Sequence, residues 1–199
     1  SGVQLYNSSN NTFRRTNIFL NNNGVSHDRS IFNAFEGCNV SNNQLRNIWF
    51  GNYSNNNTIH KCNINQGYSG LGFESSSNDN LVYHNNFVSN SDQEIDNAYD
   101  ECENVWDGGN VTGGNYWDDY DGDDADGDGF GDTAYQIDGG DSQDKYPLMS
   151  PEVFYDVTKP KIELTKPVRG LYILDFLVRR YLIRRPLILG KVTISAEGK

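Results

Sequence analysis

The stretch NNTIHKCNINQ, residues 56–66, has near-copies on both sides of it: NNTFRRTNIFLNN at 10–22, FNAFEGCNVSNN at 32–43 and DNLVYHNNFVSN at 79–90. An apolar residue recurs as Phe13, Phe35, Ile59 and Val82, and a second follows five positions later as Ile18, Val40, Ile64 and Phe87. An asparagine stands before the second each time, as Asn17, Asn39, Asn63 and Asn86, and successive units are offset by 22, 24 and 23 residues. A repeat of this period has to be explained before anything else.

Helical repeats need longer units, and their helices would not tolerate this density of Asn and Gly. Leucine-rich repeats need several leucines per unit, and these units lack them. The solution that remains is all-β: a parallel β-solenoid whose coils of about 23 residues stack at roughly 4.8 Å. Equivalent side chains then stack in files. The expectation is an inner aliphatic file and an asparagine ladder through Asn17, Asn39, Asn63 and Asn86, bonded amide to amide. Cys38 and Cys62 become neighbours one coil apart.

Composition agrees. The chain has 199 residues and 27 asparagines, all before residue 116. Asn competes for backbone hydrogen bonds and favours turns over helix, yet regularly placed Phe, Ile, Val and Leu argue against disorder. Charge divides the chain: residues 1–158 hold 24 acids and 6 Lys/Arg, residues 159–199 hold 3 acids and 10 Lys/Arg. Two modules are expected, and the acidic one excludes a nucleic-acid partner. The first residues, SGVQLYNSS, carry no signal-peptide pattern. The chain is expected to begin inside a repeat and end inside a strand, as a piece of a longer protein.

After the coils, residues 118–135 place eight aspartates and four glycines in DDYDGDDADGDGFGDTAY. Asp124, Asp126, Asp128, Gly129, Phe130 (through its carbonyl) and Asp132 match positions 1, 3, 5, 6, 7 and 9 of a calcium loop of EF-hand type. Position 12 is Tyr135 rather than Glu, so Asp119, Asp121 or Asp138 would complete the shell from outside. Aspartates this dense repel one another without a cation, which favours Ca²⁺ over a solvated acidic turn. Mg²⁺ fits less well, because it demands a tighter octahedron.

The coils, followed by GGNYWDDYDGDDADGDGFGDTAYQID (113–138) and DKYPLM (144–149), resemble the NosD-like family of right-handed parallel β-helices. The resemblance covers about residues 1–150. It implies a carbohydrate-associated or surface β-helix of archaeal or bacterial type, often beside immunoglobulin-like modules. The family name is also tied to periplasmic proteins that assist copper insertion into nitrous oxide reductase.

Other sites are weighed against this frame. Trp49, Tyr53, Trp106 and Trp117 are expected among exposed aromatics that stack against sugar rings, with Tyr116 and Trp117 also sealing the last coil. A lyase or glycoside hydrolase is the enzymatic alternative. Its acids would be Asp92, Glu94, Asp96 and Asp100, which are more simply read as solvated loop acids. Copper delivery is the other alternative, yet His27, His60, His84 and Met149 make a poor ligand set, with only His60 and His84 placed to approach each other. Cys38 and Cys62 are expected as small buried residues. Of six sequons, at Asn7, Asn10, Asn39, Asn52, Asn56 and Asn110, Asn39 falls in the expected ladder, where no glycan fits.

The expected division is coils and aromatic cap at 1–117, a calcium-loop region at 118–150, a linker at 151–160, and the opening of an immunoglobulin-like sandwich at 161–199. The rival for the tail is a membrane-surface helix over ILDFLVRRYLIRR (173–185). A spanning helix is excluded by its arginines. The functional expectation is a non-catalytic module outside the cell, at its surface or in the periplasm. It would be structural or adhesive, bind polysaccharide or cell-wall glycan, and be stabilised by calcium.

Overall fold

The computed structural model describes residues 1–90 and 97–154, together with two tail strands, Ile162–Leu164 and Val192–Ile194, that pair antiparallel. The chain divides into two compact units, Ser1–Phe154 and Tyr155–Lys199. The immunoglobulin-like and membrane-helix expectations fall on residues outside the description, apart from that strand pair. No helix among the described residues is long and apolar enough to cross a membrane.

The first unit is a parallel β-solenoid of about four turns with three sheets. The first sheet stacks β1 (Val3–Tyr6), β4 (Asn23–Asp28), β7 (Arg46–Gly51), β10 (Ser69–Phe73) and β13 (Ala98–Asp100). The second stacks β2 (Thr12–Arg14), β5 (Ala34–Glu36), β8 (Thr58–His60) and β11 (Leu81–Tyr83). The third stacks β3 (Asn17–Phe19), β6 (Asn39–Ser41), β9 (Asn63–Asn65), β12 (Asn86–Val88) and β14 (Tyr116–Trp117). Both apolar files read from the repeat are in register: Phe13, Phe35, Ile59, Val82, and Ile18, Val40, Ile64, Phe87, the second continuing to Trp117. The first sheet adds two inward files, Val3, Val25, Ile48, Leu71, Ala98 and Leu5, His27, Phe50, Phe73, Asp100.

Left-handed residues mark the corners. Between the second and third sheets they stack as Arg15 (φ 50°), Gly37 (62°), Lys61 (55°) and His84 (55°). Equivalent files run through Asn7, Arg29, Asn52 and through Asn10, Phe32, Asn56. Asn tolerates this conformation better than other residues bearing a Cβ, which is one physical reason the coils use so much of it.

Of the expected ladder one link forms, Asn86 Nδ2 donating to Asn63 Oδ1 at 2.8 Å, and the main buried ladder is another. Asn17, Asn39 and Asn63 lie on the outer face and are not buried, because they are the first, outward-pointing residues of their strands. The buried amide ladder is Asn11, Asn33, Asn57, Asn80 and Asn104, at the corner before the second sheet. Each Oδ1 accepts the backbone N–H one coil earlier, as Asn57 does from Asn33 at 2.9 Å, and Asn57 Nδ2 donates to Ser30 O at 3.0 Å. The amides thus satisfy backbone groups that the corner takes out of the sheets.

Cys38 and Cys62 belong to a second ladder that continues as Asn85 and Asn115. Cys62 Sγ accepts the Cys38 N–H at 3.4 Å and donates to Phe35 O at 3.6 Å, the two bonds an asparagine would make. Burial pushes the Cys62 thiol well up, and the Cys62 thiol beside it draws Cys38 down. Cys62→Asn should therefore stay within about 1 kcal/mol of the parent, whereas Cys62→Val, which orphans both backbone groups, should lose about 2 kcal/mol in urea unfolding.

Candidate metal centre

Beyond β14 the chain forms a cap. A hairpin, β15 (Tyr135–Gln136) and β16 (Gln143–Asp144), closes the end, and the acidic loop hangs between β14 and β15. Asp124, Asp126 and Asp128 come together, with one carboxylate oxygen of each lying within 4.8 Å of the others. Asp124 Oδ1 accepts Gly127 N–H at 2.8 Å and its Oδ2 accepts Gly129 N–H at 3.0 Å. Asp128 Oδ1 accepts Phe130 N–H at 2.8 Å, and Asp132 Oδ2 accepts Ala125 N–H at 2.8 Å. Gly127 (φ 76°) and Gly129 (φ 93°) supply the left-handed turns that wrap the loop round the carboxylates.

The outer candidates are placed differently. Asp119 accepts Asn97 Nδ2 at 2.9 Å and the Tyr135 hydroxyl at 3.0 Å, and burial together with this carboxylate pushes the Tyr135 phenol up. Asp138 gives its carbonyl to Asp100 N–H at 2.7 Å beside Tyr99. Asp119, Asp121, Asp132 and Asp138 all lie outside the triad.

The loop is fastened to the last coil by the segments flanking it. Phe130 pairs antiparallel with Leu148, Gly131 N–H reaches Pro147 O at 2.8 Å, and Leu148 N–H reaches Asn115 O at 2.8 Å. Gly113 lies under the Phe130 ring, where an added Cβ would stand 2.4 Å from it. At the centre is Asp144, fully buried, which accepts Asn115 N–H at 2.6 Å, Trp117 Nε1–H at 2.9 Å and Tyr146 N–H at 3.1 Å. Sequence reasoning missed Asp144 as a pin, although it opens the DKYPLM block.

The aromatic expectation is corrected at three residues. Trp106 and Trp117 are 0% and 1% exposed, packed on Phe87 and on each other, so neither offers a face to a sugar. Trp49 points outward but is 7% exposed. It lies flat over Gly72, stacks with Tyr99, is covered by Arg46 at 3.5 Å and donates to Glu74. Tyr53 is exposed. Trp117 serves as the expected cap, stacked between Phe87 and Tyr135.

Of the proposed hydrolase acids, Asp92, Glu94 and Asp96 lie outside the described residues. Asp100 is buried, not solvated as expected, because Trp106 Nε1–H, Ser142 Oγ–H, Asn104 Nδ2–H and Cys102 N–H all point at it. A cleft of about 890 Å³ opens between the last coil and the hairpin, lined in part by Glu101, Glu103, Asp107 and Lys145. Glu101 and Asp107 there are bonded to backbone N–H groups of Ser75, Gly109 and Lys145.

Every histidine, cysteine and methionine of the chain is among the described residues, so the copper donors can be examined together. His60 lies between Glu36 and Tyr83 in its file and stacks on Tyr83. His84 is turned to the next corner position, with Nε2 on Thr112 O at 2.5 Å and Nδ1 on Glu152. His27 is buried against Phe35 and Phe50. The Cys38 and Cys62 sulfurs are committed to their ladder. These donors do not converge, and they do not fit a resident copper ion.

No curated protein and no solved structure matches the chain. A family profile described as "Periplasmic copper-binding protein (NosD)" matches residues 1–122, the whole of the coil region and the start of the acidic loop. With more than half its length matched, and with the stacked coils the repeat called for, the chain belongs to the NosD family.

Proposed function

We propose that this chain is a non-catalytic β-helix module working outside the cytoplasm, in the periplasm or at the cell surface, with a cap that closes on calcium. The convergence of Asp124, Asp126 and Asp128 on a loop turned by Gly127 and Gly129 carries the reading. Three carboxylates with no cation repel one another, and oxygen donors on a flexible loop suit Ca²⁺. Fastened through Phe130 and Leu148, a filled loop would brace the segment that seals the last coil. The work of the module is structural or adhesive, with polysaccharide meeting exposed corner aromatics such as Tyr53, 63% exposed.

The family description attaches copper to its members and so favours copper handling in part, but the scattered donors of this chain speak against a resident ion. One titration of metal-stripped protein separates the two. Calcium at up to about millimolar concentration should bind once and slow hydrogen exchange over residues 113–150 before the coils respond. Asp126→Asn should weaken this binding about tenfold or more. Stoichiometric copper uptake, or exchange unchanged by calcium, would sink the reading.

A further inference from the structure

The charge of the first unit is not spread along it. Residues 1–90 hold five Lys/Arg and four acids, so the strong acidity belongs to the last coil and the cap. Three of those five cations, Arg14, Arg15 and Lys61, fall at one corner, where the second sheet turns into the third. His60 and His84 fall there too. Arg14 is paired with Glu36 at 2.7 Å. Arg15 and Lys61 are exposed and make no ion pair among the described residues.

Beside this corner runs the outer asparagine file, in which Asn86 Nδ2 donates to Asn63 Oδ1 at 2.8 Å and, among the described residues, the Asn63 amide N–H and the second lone pair of its oxygen stay available. The repeat couples the two: Arg15 with Asn17, Lys61 with Asn63, and His84 with Asn86, each basic residue two positions before its amide. At the last of these pairs the chain itself shows what the combination holds. Glu152 lies across it, with its carboxylate on His84 Nδ1. Its N–H donates to Asn86 Oδ1 at 2.9 Å, and its carbonyl accepts Asn86 Nδ2–H at 2.8 Å. One amide takes both the N–H and the C=O of a single residue, and the neighbouring imidazole takes its acid.

We propose that this corner is a docking track for an extended acidic peptide of a partner protein, with the Arg15–Asn17 and Lys61–Asn63 pairs as seats equivalent to the one Glu152 occupies. Stacked coils repeat a site as they repeat a side chain. Arg15 and Lys61 stand two coils apart, roughly 10 Å, which an extended chain of polyproline II type, at roughly 3.1 Å and a third of a turn per residue, spans in about three residues with its side chains back on the same face. The fitting ligand therefore carries carboxylates at every third position. Peptide is favoured over an acidic glycan because Asn86 grips a backbone N–H and C=O together.

The test uses the full chain and a fluorescent peptide with glutamate at every third position and serine between. Its glutamine counterpart and an oligouronate of equal charge serve as comparisons. The glutamate peptide should bind and the glutamine peptide should not. Arg15→Glu combined with Lys61→Glu should weaken binding about tenfold, whereas Arg29→Glu, at another corner, should leave it unchanged. Glu152→Gln, which loosens the internal occupant, should tighten it. Equal binding of the glutamine peptide, indifference to the double reversal, no change with Glu152→Gln, or tighter binding of the oligouronate would each overturn the proposal.

Discussion

Asp144→Ala should release the cap while the coils stay folded, at a cost of about 3–5 kcal/mol to that segment. The buried carboxylate faces the N–H groups of Asn115 and Tyr146, the Trp117 indole N–H and the Asn115 amide. Alanine would leave these donors buried without an acceptor, each worth about 1–3 kcal/mol and not fully additive. The space is specific: a Cβ on Gly114 would stand 1.7 Å from Asp144 Oδ1, so strand end and carboxylate are fitted to each other. Asp144→Asn keeps the shape and one acceptor but turns an amide N–H toward a donor, and should cost less. Hydrogen exchange at Asn115, Tyr146 and Leu148, with the Trp117 emission shifting toward that of exposed indole, would read the loss. Exchange in the alanine variant as slow as in the parent would refute the pin.

Burial raises the Asp144 carboxyl from 3.8 to about 6 despite these donors. The folded state therefore holds this proton more tightly than the unfolded chain does. Its contribution to stability is greatest below about pH 4 and is lost as the pH rises through 6.

How much of this was legible in the sequence depends on whether the signal was local. The repeat showed two inward files, because Phe13, Phe35, Ile59 and Val82 and their partners sit in nearly identical letters. The first sheet escaped notice although it is the longest-stranded: VQLY, NGVSHD, RNIWFG and SGLGF share spacing, but at equivalent positions only isolated types recur, such as Val3 with Val25 and Phe50 with Phe73. Asparagines at several places in each unit gave no clue to which were buried, since corner geometry decides that and not the letter. Trp49 lies flat only because its neighbour one coil later is Gly72, and Asp144 is buried only because Gly114 makes room for it. The alternating Asp124, Asp126 and Asp128 were readable, because a loop that turns on its own glycines carries its geometry in its spacing. The acids that would complete the shell were not, because their partners lie on other coils.

His27→Leu should make the protein more stable in acid, and the sign follows from where the ring lies. His27 occupies an inward position between Leu5 and Phe50, 4% exposed, its ring 4.1 Å from that of Phe50. Neither ring nitrogen has a hydrogen-bond partner. Desolvation lowers its pKa from 6.5 to about 3. Above pH 6.5 the ring is neutral in both states and costs nothing as a charge. Below that, the unfolded chain takes up a proton that the folded core refuses, so stability falls by up to about 1.4 kcal/mol per pH unit, or about 2 kcal/mol by pH 5. Leucine removes that loss and also removes two buried nitrogens without partners. Between pH 6 and 4 the His27 and Asp144 contributions oppose each other, one falling and one rising as acid is added. Denaturant midpoints measured across this window should therefore stay nearly level for the parent and rise for the variant as acid is added. A variant whose midpoints follow those of the parent would show that His27 is already protonated in the fold, or that the core opens to let a proton in.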